Sequence, residues 1–288
     1  MNPLCIGISR HPRYSPNRRV QDHAIFTLVA EYLQEKGFTV HTCTEEAFVQ
    51  SHDTAPFLFH MTRSTAVIDR LEELEREGAV VVNTPDSIRN CYRGRLVRLF
   101  SQNDIPYPDT FEIGTSASQE EMEEQLRHYG MKSCWLKRRD EYTLSPKDVC
   151  FAGSDKEALQ KLQAFAQRHI DYIIVNRHLP GDLLKFYGVE DSSFFFTCYP
   201  DSHNKFDKFC FATPEGSSTR IPFREESLRD ICSRAAKALG LSIYGGDAII
   251  SPDGSIHIID LNDWPGFSPC QQEAACHIGQ FLIKKFSV

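Results

Sequence analysis

The chain has 288 residues, more than one small core accommodates and enough for two or three modest domains. Its 41% hydrophobic and 25% charged residues are ordinary for a soluble globular protein. A net charge of −7 argues against a general binder of nucleic acid or anionic membranes and leaves room only for a local basic pocket.

Ten cysteines lie scattered from Cys5 to Cys276 with no Cys-x-x-Cys pair, so free thiols in a reducing compartment are expected, not zinc or a disulfide framework. The opening MNPLCIGISR has no charged region followed by a long apolar stretch, and no signal peptide is expected. No apolar run approaches the about 20 residues of a membrane helix. A cytoplasmic protein without nucleic-acid or membrane partners is the expectation.

The first stretch alternates strand and helix. LCIGIS reads as a buried strand, and DHAIFTLVAEYLQEKG as a helix with Ile25, Leu28, Val29, Tyr32 and Leu33 on one face and Gly37 at its end. FTVHTC and PFLFHMT are further strands, STAVIDRLEELEREG is a helix closed by Gly78, and AVVVN is a fourth strand. Residues 1–85 therefore read as a small Rossmann-like α/β layer around a parallel sheet. SRHPRYSPNRR stands where a Gly-x-Gly-x-x-Gly would follow the first strand, which argues against a dinucleotide site. Arg10, Arg13, Arg18, Arg19 and Arg63 all fall just past strand ends, where open α/β sheets place ligands. They are either solvated surface residues or an anion site.

From Asp86 the texture changes to α+β. The segment SIRNCYRGRLVRLFSQN reads as one helix, and the prolines of DIPYPDT force an extended connector. SQEEMEEQLRHYG and SDKEALQKLQAFAQRH both open with the Ser-x-x-Glu capping pattern, with strands SCWLKRR and DVCFAG between them. The strand DYIIVNR, the turn LPGD and the strand LLKFYGVE follow, then strands SFFFTCY and KFCFAT and the helix REESLRDICSRAAKALG. The expected cuts are 86–175 and 176–288.

GGDAIISPDGSIHIIDLN reads as a hairpin around a Ser251-Pro252-Asp253-Gly254 turn. A register that pairs Ser251 with Gly254 sets Asp247 opposite Ile258. Ile258, Asp260 and Asn262 then share a face with Asp247, which lies diagonal to Asp260 at roughly 7–8 Å. Two carboxylates and an amide converging at the end of an apolar strand repel each other unless a cation joins them. A hard divalent ion such as Mg²⁺ suits oxygen ligands of this kind.

Asp260-Leu261-Asn262 followed by Pro265-Gly266, with the earlier Asp247, resembles the signature of ATP-grasp enzymes, and the likeness covers most of the chain. The resemblance implies a Rossmann-like first domain followed by an ATP-grasp fold of two α+β subdomains that grip ATP between antiparallel sheets. It implies Asp247, Asp260 and Asn262 as Mg²⁺ ligands. Lys137 in CWLKRR, Arg93 and Lys185 would neutralise the ATP phosphates, Lys185 and Arg93 serving the chemistry directly. In IIVNRHLPGDLLKFYGV the backbones of Arg177 and Leu179 would meet the adenine edge and Asp182 the ribose. Arg10, Arg18, Arg63 and Gly266 would line the acceptor site. The lid segment RRDEYTLSPK departs from the glycine-rich family pattern, and Lys205 or Arg220 would stand in for an arginine after the hinge hairpin.

Phosphoryl transfer to a carboxylate, followed by attack of an amine, is the family's prevailing chemistry. The Asp-x-Asn variant and LLKFYGV are also similar to inositol polyphosphate kinases of the same superfamily, so a kinase acting on a polyanionic hydroxyl compound is the alternative. A nucleotide-binding module without turnover is the third reading. The expected partners are a small anionic acceptor and, as an option, a second copy of the chain in a homodimer.

Overall fold

A computed structural model describes residues 2–140, 145–200 and 218–287. The segment KFCFAT and Lys205 lie outside the described residues. β1 (Leu4–Ser9), α1 (Arg19–Glu35), β2 (Thr39–Thr44), α2 (Glu45–Ser51), β3 (Phe57–His60), α3 (Thr65–Arg76) and β4 (Val80–Val82) alternate along the chain. They build a parallel sheet of order β2-β1-β3-β4. Gly37 and Gly78 adopt φ of 91° and 102°, which ends the helices before them without a Cβ penalty. The short α2, with Thr44 accepting from the Ala47 N–H at its start, was not expected from the sequence.

α4 (Pro85–Asn90) and α5 (Arg93–Gln102) replace the single helix expected over SIRNCYRGRLVRLFSQN. Cys91 and Tyr92 break it, with Tyr92 extended at ψ 131°, and the break sets Arg93 at the first turn of α5. β5 (Thr110–Gly114), α6 (Gln119–His128), β6 (Cys134–Arg138), β7 (Val149–Ala152), α7 (Asp155–Ala166) and β8 (Tyr172–Arg177) follow. Their strands form an antiparallel sheet of order β5-β8-β6-β7. Ser118 and Glu121 make the complete capping box that their spacing announces, while Ser154 caps α7 from one side only.

β9 (Asp182–Val189), β10 (Phe195–Cys198), α8 (Glu225–Leu239), β11 (Ile243–Ile250), β12 (Ile256–Asp263) and α9 (Gln271–Phe286) complete the chain. Their sheet has the order β10-β9-β11-β12 and is antiparallel throughout.

The packing does not divide at residues 85 and 175. Leu96 and Phe100 of α5 share a core with Leu228 and Leu239 of α8 and with Ile258 and Leu261 of β12, so α5 belongs with the last sheet. α9 folds back onto the first sheet, where Ile278 and Leu282 pack with Ile25, Val29 and Phe59. α6 and α7 cover the middle sheet through Met122, Leu126, Leu162 and Phe165. Each antiparallel sheet thus has one face sealed by helices. The other faces line a cleft between them.

Candidate active site

Strand alternation decides which side chains reach the cleft. Trp135 and Lys137 of β6, Leu183, Lys185 and Tyr187 of β9, and Asp247 and Ile249 of β11 line it, while Leu136, Leu184 and Ala248 between them point into the cores. The cleft has a volume of about 340 Å³.

β12 departs from the register read off the sequence. Asp247 sits directly opposite Asp260, Ala248 is opposite Ile258, and the ladder shifts between them. Ile259 is therefore an extra residue, a β-bulge. It puts Ile258 on the helix-covered side with Leu261 and turns Asp260 and Asn262 to the cleft, so Ile258 does not share their face. The carboxylates are direct neighbours, not diagonal ones. The bulge also aims the Ile259 carbonyl at Lys137, whose Nζ donates to it at 3.1 Å.

Lys185, Asp247 and Asp260 form a row across three adjacent strands, since Asp247 pairs with Lys185 on one side and with Asp260 on the other. Lys185 Nζ lies 3.0 Å from Asp247 Oδ1, and Asn262 Nδ2 donates to Asp260 Oδ2 at 3.0 Å. Facing carboxylates on neighbouring strands destabilise a sheet unless cations offset them. Burial pushes the Asp260 carboxyl upward, but Arg93, Lys137, Asn262 and Arg63 together hold it below its usual range. Arg93, buried at the start of α5, donates from Nη1 to the Arg138 carbonyl at 3.1 Å. Lys137 is only 8% exposed; burial and then Arg93 push it down, against the pull of Asp260 and Asp247, to about 8. Two carboxylates and an amide match a hard oxygen-preferring cation, and Cys91, which also lines the cleft, is held as the neutral thiol by burial. Among the described residues no three His, Cys, Asp or Glu side chains cluster as a metal site, so the row offers two carboxylates and the Asn262 amide only, and the nine described cysteines form no disulfide.

At the hinge end the side chains divide between cleft and core. Asp182 lies on the core side of β9 and is 4% exposed. It accepts from the Thr219 and Ile221 N–H groups, both at 2.7 Å. Burial raises this carboxyl and those hydrogen bonds outweigh it, so it sits below its usual range. Asp182 thus anchors the chain at Thr219 and Ile221 and is not among the residues that line the cleft. The Arg177 N–H donates to the Asp109 carbonyl at 2.8 Å, and its guanidinium holds Asp109 Oδ2 and the Gly130 carbonyl; Leu179 lines the cleft. Arg220 is exposed, with its guanidinium 5.9 Å from the Tyr199 ring centre.

Sequence reasoning passed over Trp135, Asn176 and His178, which line the same end. Trp135 Nε1 donates to His178 Nδ1 at 3.1 Å, and Val149, Ile249 and Ile259 add apolar surface of the kind a flat heterocycle buries. Trp135 sits two residues before Lys137 on the same strand, so period-two alternation alone places them on one face.

At the opposite end lie Arg10, Arg18, Arg63 and Gly266. Arg63 reaches the end of β12: Nη2 is 3.1 Å from Asp263 Oδ1, with Asp263 fully buried. Arg10 donates to the Met61 and Trp264 carbonyls, both at 2.9 Å, and pairs with Asp22 at 3.2 Å and Asp263 at 3.7 Å. Arg18 Nη1 donates to Ser268 Oγ at 3.1 Å. A Cβ on Gly266 would come within 2.9 Å of Asp22 Oδ1, so a larger residue here would push on the carboxylate that pairs with Arg10.

No family model matches the sequence. Among curated sequences, N-acetylaspartylglutamate synthase A of Mus musculus is 23% identical over 236 residues, covering 76% of this chain and 57% of that protein. The chain thus spans little more than half the length of that relative. D-alanyl-alanine synthetase A from Vibrio cholerae O1 superposes with a TM-score of 0.72 at 13% identity, covering 99% of this chain and 98% of its own. The VanG D-Ala:D-Ser ligase from Enterococcus faecalis gives 0.71 at 14%, covering 99% and 100%. The ATP-grasp ligase PsnB, solved with a minimal precursor, gives 0.66 at 14%, also covering 99% and 100%. At such identities the likeness is one of architecture, and it runs the length of the chain: this protein has the ATP-grasp fold.

Proposed function

We propose that the chain is a Mg²⁺-ATP-dependent ligase that joins a carboxylate to an amine through an acylphosphate. The observation that carries this reading is the row Lys185–Asp247–Asp260, facing Lys137 and Arg93 across a cleft between two antiparallel sheets. Asp247, Asp260 and Asn262 would hold Mg²⁺, which when bound draws negative charge from the phosphate oxygens. Lys137, Lys185 and Arg93 would take the remaining phosphate charge and hold the γ-phosphoryl group in line with the acceptor. Trp135, His178, Leu179 and Val149 would bury the base. Arg10, Arg18, Arg63 and Gly266 would form the acceptor end, where the carboxylate oxygen attacks phosphorus, ADP leaves, and an amine then displaces phosphate from the acyl carbon. The proposed functional parts are an acceptor-side layer, residues 1–85 joined by α9, and two nucleotide-gripping sheets, the last of which also takes in α5.

The test is a screen of carboxylates with Mg²⁺-ATP and hydroxylamine as a general amine, following ADP release and hydroxamate formation. Hydroxamate formed in step with ADP supports the ligase. An acceptor that gains one phosphoryl group, with no hydroxamate, contradicts it.

A further inference from the structure

A second row lies beside Lys185–Asp247–Asp260, two residues along the strands. Gly245 pairs with Tyr187 of β9 on one side and with Asn262 of β12 on the other. Tyr187 thus stands level with the amide proposed for the metal, about 7 Å past Lys185 on the same face of β9. Gly245 has no side chain to fill the middle of this row. A Cβ there would come within 2.7 Å of Pro265 Cγ and 2.9 Å of Tyr187 Cδ1, so the glycine lets the phenol ring lie over β11 and against the loop that follows β12. Phe267 and Phe196 hold the ring from other sides, with ring centres 5.3 and 6.4 Å away.

The ring belongs to the core that α1 and α9 share, and a phenylalanine would pack there as well. The hydroxyl is what packing does not account for. Among the described residues no group bonds it, and it opens on the cleft instead of being sealed behind it. Burial pushes the phenol up, against Lys185 and Arg18 and with Cys198 and Asp247, so it stays a neutral donor at ordinary pH. A substrate that closes over this hydroxyl must bond it, because an unpaired buried hydroxyl is costly. We propose that Tyr187 is a catalytic residue of the ligase reaction: its hydroxyl donates a hydrogen bond to the acceptor carboxylate oxygen that stays on carbon, while the other oxygen attacks phosphorus. This rests on the ligase reading of the cleft. The attacking oxygen faces Lys185 and the metal row, so its twin turns to the next row, where Tyr187 stands. When the amine nitrogen bonds to the acyl carbon, the C=O π pair moves onto that same oxygen, and a rigidly held donor stabilises the charge without giving up its proton. The pair returns as the C–O bond to phosphate breaks, and phosphate leaves with that bond's electrons and the amine's surplus proton.

The experiment compares Tyr187→Phe with wild type in the carboxylate screen, with acetate, L-alanine, L-aspartate and L-glutamate among the acids, Mg²⁺-ATP as the nucleotide and hydroxylamine as the amine. Tyr187→Phe keeps the ring, so its melting temperature and its melting shift with Mg²⁺-AMPPNP should match wild type. With each substrate varied in turn, kcat for hydroxamate should fall about tenfold to a hundredfold. KM for Mg²⁺-ATP should stay within about twofold, the split expected of a contact made in the transition state and not to the nucleotide. An unchanged kcat removes Tyr187 from the chemistry, and so does a loss confined to KM for Mg²⁺-ATP. Tyr187→Leu also disturbs the packing and should cost stability besides; if kcat falls across the two variants only in step with melting temperature, the residue is structural and the proposal fails. Absence of hydroxamate from every carboxylate with wild-type protein removes the ligase reading, whereas equal hydroxamate rates from wild type and Tyr187→Phe remove only the role of Tyr187.

Discussion

Replacing Lys137 with methionine separates a binding role from a structural one. The ammonium is buried in the cleft, and its pKa falls from 10.5 to about 8 through burial first and the neighbouring Arg93 second. That difference corresponds to about 3 kcal/mol by which the charged form is disfavoured in the native state. The unfolded chain binds this proton more tightly than the native one, so the penalty is fully present below pH 8 and is relieved as pH climbs from about 8 to 10.5. Lys137→Met removes the penalty and keeps the apolar stem, while forfeiting the hydrogen bond to the Ile259 carbonyl, worth about 1.5–3 kcal/mol for a charged donor. The two terms nearly cancel, and the free protein should change stability by no more than about 2 kcal/mol at neutral pH. Nucleotide affinity has no such compensation. Losing a charge-assisted phosphate contact of about 1.5–3 kcal/mol should weaken Mg²⁺-AMPPNP binding roughly 10- to 150-fold. Urea unfolding and calorimetry on the same samples give both numbers. A variant that loses more than about 4 kcal/mol of stability with an unchanged Kd would show Lys137 to be a structural residue and refute this reasoning.

Because phosphate favours the ammonium, Mg²⁺-ATP affinity should fall as pH rises through about 8, with proton uptake on binding; a flat Kd between pH 7 and 9 would count against Lys137 as the contact. Asp260→Asn keeps shape but removes a charge that Arg93 and Lys137 balance, so turnover should collapse while the circular dichroism spectrum stays native; retained turnover would sink the metal assignment. Asp182→Ala should cost about 2–4 kcal/mol in urea unfolding, from two lost N–H acceptors, yet leave nucleotide Kd within about threefold. Leu261→Ala, on the sealed face behind Asp260 and Asn262, should cost about 2–5 kcal/mol, and an effect under about 1 kcal/mol would mean that α8 does not clamp this strand.

Elements with a strong local signature were legible in the sequence. Period-two alternation, glycine at Gly37 and Gly78, and the Ser118–Glu121 box each carry their own cause within a few residues. The order of Lys137, Lys185, Asp247, Asp260 and Asn262 was enough to bring them to one cleft. The bulge was not legible, because Ile259 looks like any other strand residue; what fixes it is tertiary, the Ile258 N–H bonding the Pro106 carbonyl and Lys137 taking the Ile259 carbonyl. The hydrogen bonds that Asp182 accepts from Thr219 and Ile221 were not legible either, since their partners lie nearly forty residues on. α9 drew no attention because its buried residues acquire their meaning only against α1 and Phe59, far away in sequence. The partnership of Arg63 with Asp263 is likewise a product of that long-range closure.

The most direct test of the central claim follows oxygen from the acceptor. With the carboxylate identified by the hydroxamate screen and labelled with oxygen-18, one labelled oxygen should appear in inorganic phosphate for each ADP released, since the acylphosphate oxygen bridging carbon and phosphorus leaves with phosphorus. Phosphate formed without label, while ADP and the amide accumulate, would contradict the proposed chemistry of this cleft.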